Sequence, residues 1–341
     1  MRPFHVLSVS SIFVVTWLGL GCAANGTVTA TPPMDDAGID DGYDAAADGG
    51  GAPLGDARAG DAAVSATCVG KSAQPLDATW TVSSKGKDRT ARVHVPASYV
   101  PTKRSPVVLN FHGYTSNAAE QELLSQMTPK ADKEGFVVVF PEGLSNSWNA
   151  GGCCGTSMSS GVDDVAFVSD LLDAIGSKLC VDAHRVFATG MSNGGFLSHR
   201  LGCDLSMRIA AIAAIAPVAG VLAPAACDAK RAVPVMDFHG TADTVVPYAG
   251  NASYSSAADT IAAWAKRNGC TGQPVETFRK SDAHCATYAT CQDRATVTLC
   301  TIDNGGHTWP GGLPIPALGV TTTNLSATDA MWTFFTEHPL P

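Results

Sequence analysis

Gly190-Met191-Ser192-Asn193-Gly194 fits the pattern G-x-S-x-G, and Gly195 follows it directly. A serine flanked by small residues on a sharp strand-to-helix turn exposes its hydroxyl for attack on an acyl carbon. The residues ahead of it, 185–189, read as a strand, and 194–202 read as a helix, so the motif lies in the context it requires. Glycines at such a turn also permit close helix-sheet packing, and that use holds whether or not Ser192 reacts. A serine hydroxyl is a weak nucleophile until a base removes its proton. The chemistry therefore needs a histidine from elsewhere in the chain and a carboxylate to orient it.

For a serine at this kind of turn the acid and then the histidine are expected downstream, each just past a strand end. His307, in Asn304-Gly305-Gly306-His307-Thr308-Trp309-Pro310, follows a buried strand and fits the base. His199 falls within the helix after the serine, His284 lies between Asp282 and Cys285, and His338 is near the last residue. His239 also ends a strand but precedes the acid candidate. That acid is Asp243, in Phe238-His239-Gly240-Thr241-Ala242-Asp243, whose bland alternative is a buried turn aspartate. Asp237 lies inside a strand and Asp259 inside a helix, while Asp303, four residues before His307, is a competitor.

Acyl transfer also needs donors aimed at the developing oxyanion. The backbone N-H of Asn193 is one, and that of Tyr114, after the strand ending in His112-Gly113, is the other; the His112 side chain reads as structural. Trp148 and Trp309 flank the loops expected at the site and could line the substrate pocket or pack in the core. Two CxxC motifs are not found, so no metal site is expected, and the chemistry requires no cofactor. Gly70-Lys71-Ser72 lacks the leading glycine of a phosphate loop, since Ser65 stands there.

Positioning such residues takes a sheet with helices. Residues 79–83 and 90–95 read as a hairpin, and 106–111, 136–140, 185–189, 209–216, 233–239 and 295–302 as further, mostly buried strands. Helices are predicted over 117–133, 165–179, 194–202, 254–268 and 326–337, the last with a capping box between Ser326 and Asp329. This alternation predicts one α/β domain with a mostly parallel sheet and antiparallel strands at its start.

Ahead of that domain the composition differs. Arg2 precedes an apolar run over residues 6–20, too short for a comfortable membrane span and suited to a signal-peptide core. Leu18-Gly19-Leu20-Gly21-Cys22 resembles a bacterial lipoprotein cleavage site, so residues 1–22 are read as a signal peptide with Cys22 as the lipidated residue. Residues 23–66, rich in Ala, Asp and Gly, form a flexible acidic linker, and 67–341 form the catalytic domain. The aspartates there fail the spacing of a calcium loop. Of the net charge of -9, residues 1–66 carry -6 through eight acids and two bases. No cluster of Lys and Arg marks a nucleic-acid face. Eleven cysteines point to an oxidising compartment; with Cys22 set aside, ten remain for disulfides, with Cys285 to Cys291 and Cys270 to Cys300 as plausible pairs. Adjacent Cys153 and Cys154 are expected to bond different partners.

Taken together, His112-Gly113, Trp148-Asn149-Ala150-Gly151-Gly152-Cys153-Cys154-Gly155, Asp163-Asp164-Val165, Gly190 to Gly195, His239 to Asp243 and Gly305-Gly306-His307-Thr308-Trp309-Pro310-Gly311-Gly312 resemble the polyhydroxybutyrate depolymerase and feruloyl esterase group of secreted α/β-hydrolases, related to carbohydrate esterase family one. The resemblance implies an α/β-hydrolase fold with about eight strands and Ser192, Asp243 and His307 as triad. It departs at Tyr114, where many members carry Cys, which alters the pocket wall. Depolymerases of solid polyester commonly carry a further binding module, and the chain ends at Pro341, which favours a soluble or plant-derived ester. The expected function is a secreted, lipid-tethered bacterial serine esterase, acting as a monomer on feruloyl or acetyl esters of plant polysaccharide. The alternatives are a polyester depolymerase and, from another class, a catalytically silent surface-binding module.

Overall fold

The computed structural model describes residues 68–217 and 227–341. The expected signal peptide, Cys22 and the acidic linker lie outside the described residues. The fold begins with the predicted hairpin, β1 (Asp77–Ser84) and β2 (Lys87–His94). The buried runs form β3 (Ser105–Phe111), β4 (Val137–Pro141), β5 (Val181–Met191), β6 (Ala211–Ile215), β7 (Val235–Gly240) and β10 (Val297–Ile302). Between the last two lies a hairpin absent from the sequence reading, β8 (Val275–Lys280) and β9 (Ala283–Tyr288). The expected sheet of about eight strands is therefore a ten-stranded mixed sheet, ordered β1-β2-β4-β3-β5-β6-β7-β10-β9-β8. Its middle, β4-β3-β5-β6-β7-β10, is parallel, and both edges are antiparallel. Because the middle strands are parallel, their C-terminal ends gather along one edge, where α/β sheets bind ligands.

The helices are α1 (Ala118–Ser125), α2 (Met127–Glu134), α3 (Gly155–Ser159), α4 (Asp164–Lys178), α5 (Asn193–Asp204), α6 (Ala257–Arg267) and α7 (Ala327–Glu337). The single helix predicted over 117–133 is broken at Gln126, which takes a left-handed conformation at φ 52°. Pro129 in the first turn of α2 suits this break, since a proline there removes no intrahelical bond. At α7, Ser326 caps as expected, its Oγ accepting from the Asp329 N-H at 3.2 Å. The Asp329 carboxylate instead pairs with Lys130 of α2 at 2.8 Å.

Five disulfides join the ten cysteines of the described residues. Cys285 pairs with Cys300, its direct register partner across β9 and β10, and Cys270 pairs with Cys291. The expected pairs Cys285 to Cys291 and Cys270 to Cys300 are thus exchanged, because they were drawn without β9. Cys153 and Cys154 are bonded to each other rather than to different partners. Cys68 pairs with Cys180, and Cys203 with Cys227. Among the described residues no helix is long and apolar enough to cross a membrane.

At the hairpin edge, His94 of β2 stands between two carboxylates, with Nδ1 2.8 Å from Asp77 and Nε2 3.0 Å from Asp132 of α2. Burial disfavours the imidazolium, but the two aspartates outweigh it and raise the His94 pKa. A histidine whose folded pKa is raised adds stability that is complete below its unfolded value, about 6.5, and is lost as pH rises through the folded value. The urea midpoint is therefore expected to fall as pH climbs past that window. His94→Gln should flatten this dependence, and an unchanged slope would show that the contact adds nothing.

Candidate active site

Ser192 sits between β5 and α5 with φ 55° and ψ -121°, a conformation costly for a residue with a Cβ. Its amide donates to the Ile215 carbonyl at the end of β6, which ties the turn to the neighbouring strand. The turn also lies against the end of β3: a side chain on Gly194 would collide with the Phe111 carbonyl, so only glycine permits this approach. A Cβ on Gly113 would lie 3.7 Å from the Ser192 Cβ, which puts the loop after β3 beside the hydroxyl.

Asp243 follows β7 and His307 follows β10, and the two loops are stitched together. The Ala242 amide donates to the Gly305 carbonyl at 2.9 Å, and the Asn304 amide donates to Thr241 Oγ1 at 2.8 Å. Gly240 abuts the Gly305 backbone so closely that no side chain would fit. His307 Nδ1 lies 2.7 Å from Asp243 Oδ2, with both side chains buried. Asp243 Oδ1 accepts the Val245 and Val246 amides, each at 2.8 Å. Burial opposes ionisation of Asp243, but bonds from His239, His307 and the Val246 amide prevail and hold the carboxyl below the ordinary carboxylate range. An ionised carboxylate can only accept, so the proton in this contact is on His307 Nδ1 and Nε2 is directed elsewhere.

Asn193 is the first residue of α5, where backbone N-H groups have no intrahelical acceptor. The Tyr114 amide makes no backbone hydrogen bond among the described residues, and its ring is 46% exposed. The Asn193 side chain does something that sequence reasoning missed. Its Oδ1 accepts the Trp148 amide at 2.7 Å and its Nδ2 donates to the Trp148 carbonyl at 3.0 Å. Asp164 at the start of α4 is a second such anchor, accepting Arg89 at 2.8 Å and the Asn149 amide at 2.7 Å. The Asp163-Asp164-Val165 run was its only sequence signal. Burial raises the Asp164 pKa, opposed by the Asn149 amide and Arg89.

The structure gives the two tryptophans to packing rather than to a pocket wall. Trp148 is fully buried, edge-on to Phe111 at 5.3 Å, with its Nε1 donating to the His112 carbonyl at 2.9 Å. Trp309, also fully buried, donates to Thr328 Oγ1 at 3.0 Å and so ties the His307 loop to α7. His112 bridges two loops, its Nδ1 donating to the Gly113 carbonyl at 2.7 Å and its Nε2 accepting the Gly143 amide at 3.0 Å. Burial lowers its pKa, and these bonds fit the neutral ring. Asp303, the competing acid, is 3.8 Å from His284 and makes no hydrogen bond to His307 among the described residues. Asp237, inside β7, is 3.2 Å from His199.

Comparison with known proteins finds similarity to esterases. Feruloyl esterase B of Piromyces equi is 35% identical over 237 residues, 64% of this chain and 42% of that protein. A bifunctional acetylxylan esterase/xylanase of Neocallimastix patriciarum is 32% identical over 168 residues, 48% of this chain and 23% of that protein. The chain thus spans less than half the length of both. An acetyl xylan esterase structure from Aspergillus awamori superposes with a TM-score of 0.57 at 15% identity, covering 76% of this chain and 99% of that one, which is a likeness of fold. The family model described as Esterase PHB depolymerase matches residues 93–261, a stretch that takes in Ser192 and Asp243. Residues 93–261 are thus an Esterase PHB depolymerase family-model domain, within a chain of α/β-hydrolase fold.

Proposed function

We propose that this chain is an exported serine esterase that hydrolyses feruloyl or acetyl esters of plant polysaccharide. The observation that carries the reading is the 2.7 Å contact of His307 with Asp243, at the sheet edge where the strained Ser192 turn also lies. Ser192 Oγ adds to the ester carbonyl carbon as its proton passes to His307 Nε2. The oxyanion takes hydrogen bonds from the Asn193 and Tyr114 amides. As the intermediate collapses, His307 returns the proton to the departing alcohol. Water then gives a proton to His307 and attacks the acyl-enzyme, releasing the acid and restoring Ser192. None of these steps calls on a metal or cofactor.

The substrate class is supported by the relatives named as feruloyl and acetylxylan esterases. Export is supported by the five disulfides, which persist in oxidising compartments, and by the apolar leader, with Cys22 proposed as the lipid anchor. The test is a panel of methyl ferulate, acetylated xylan and polyhydroxybutyrate, with Ser192→Ala as control. Turnover of the first two supports the reading, and clearing of polyester without feruloyl release would reverse it.

Tyr114 bears on the acyl group. Its ring lies over Gly155, where a Cβ would come within 2.5 Å of it, and half of its surface is open beside the proposed oxyanion site. An aromatic acyl group stacked on it gains about 1 kcal/mol. Tyr114→Ala is expected to raise KM for methyl ferulate by about fivefold and to leave that for a small acetyl ester unchanged. Equal changes for both esters would remove Tyr114 from acyl selection.

A further inference from the structure

We propose that His239 is a positioning residue that fixes the Asp243 carboxylate toward His307; this rests on the triad assignment above. His239 is buried at the end of β7, and its Nε2 lies 2.8 Å from the Val246 carbonyl. A carbonyl only accepts, so the proton is on Nε2. Nδ1 is buried and has no hydrogen-bond partner among the described residues.

The same Nε2 edge stands 3.5 Å from Asp243 Oδ2, the oxygen that faces His307 Nδ1. Val246 completes a closed set of contacts: its carbonyl is held by His239 while its amide holds Asp243 Oδ1. Oδ1 is thus held by two amides and Oδ2 by His307, with the Nε2 edge of His239 beside it, and the group has no other orientation that keeps these bonds.

The ring itself is seated across the sheet. Tyr248 meets it edge-on at 5.5 Å, and the Tyr248 hydroxyl bonds Thr301 Oγ1 at 2.9 Å. Thr301 is the β10 register partner of His239, and β10 leads directly into the His307 loop. His239 therefore links the strand that carries the acid to the strand that carries the base. The other titratable group on β7, Asp237, stands opposite His199 of α5. Replacing His239 by an apolar side chain removes the polar edge beside Oδ2 and leaves the Val246 carbonyl without its tie, so the loop that holds Oδ1 is loosened and the carboxylate can turn.

The test uses p-nitrophenyl acetate, an ester too small to depend on the acyl pocket. His239→Leu is expected to lower kcat by about 10- to 100-fold, the cost of a small misplacement, with KM within about twofold. His239→Gln, which can present an N-H near the Nε2 position, should recover most of that loss. The downfield proton resonance of the His307 to Asp243 bond should be lost in the leucine variant and kept in the glutamine variant. If His239→Leu does not fold, His239→Asn, polar but too short to reach Val246, is expected to show the same kcat loss. Unchanged kcat per folded molecule in these variants, with the resonance intact, would reduce His239 to packing. Turnover retained in Ser192→Ala would overturn the triad itself, whereas an inactive Ser192→Ala beside a fully active His239→Leu overturns only the role of His239.

Discussion

Ser192→Ala is expected to reduce kcat by about five orders of magnitude, equivalent to about 7 kcal/mol of transition-state stabilisation. Without the hydroxyl no acyl-enzyme can form, and what remains is the contribution of the oxyanion amides and substrate binding to direct attack by water. The fold should persist, because Ser192 is only half buried and its hold on the sheet runs through its backbone, from its own amide to the Ile215 carbonyl. Single-turnover hydrolysis of p-nitrophenyl acetate, beside the thermal transition of the same sample, checks both statements. Turnover near the wild-type rate would mean that another residue is the nucleophile or that hydrolysis takes a general-base route.

Asp243→Asn is expected to lose on the order of 10⁴ in kcat, and the hydrogen bonds of the site give the reason. Asp243 Oδ1 accepts two backbone amides, Val245 and Val246. The oxygen of a substituted amide must take that position, which turns its NH2 toward His307 Nδ1. That nitrogen must then accept, its proton moves to Nε2, and the ring can no longer draw a proton from Ser192. Asp303→Asn tests the competing acid. Asp303 is half exposed and stands 3.8 Å from His284, so this variant should keep wild-type kcat. The reverse outcome, with loss confined to the Asp303 variant, would move the acid assignment. Asp243 also contributes to stability with a defined sign. Its folded pKa is depressed, so the contribution is present above the unfolded value of about 3.9 and is lost as pH falls through the folded one.

The middle of the sheet was legible because its strands are buried on both faces. Runs such as Val107-Val108-Leu109-Asn110-Phe111 leave little alternative to a central strand. The β8 strand was not, since nearly all of Val275–Lys280 is exposed and its place is set by backbone pairing with β9 rather than by an apolar pattern. That omission carried over into the disulfides, because the opposition of Cys285 and Cys300 exists only once β9 is drawn. At the site, chain order and strand ends point to Ser192, Asp243 and His307 because those rules describe the backbone, and of these the structure joins His307 to Asp243. Trp148 shows the limit. An indole near a cleft reads the same whether it faces substrate or core, and only its full burial and its Nε1 bond to the His112 carbonyl decide for the core. His239 was set aside on chain order, a criterion that tests for the base and cannot detect a side chain that holds the acid.

The Cys68 to Cys180 bridge has a mechanical consequence. Cys180 precedes β5, the central strand whose other end is Ser192, so this bond lies at the end of the sheet away from the candidate site. A pull on the chain ahead of Cys68 is delivered through the bridge to the root of β5 and does not peel the edge strand β1 from β2. Load enters the central strand from the end opposite the Ser192 turn.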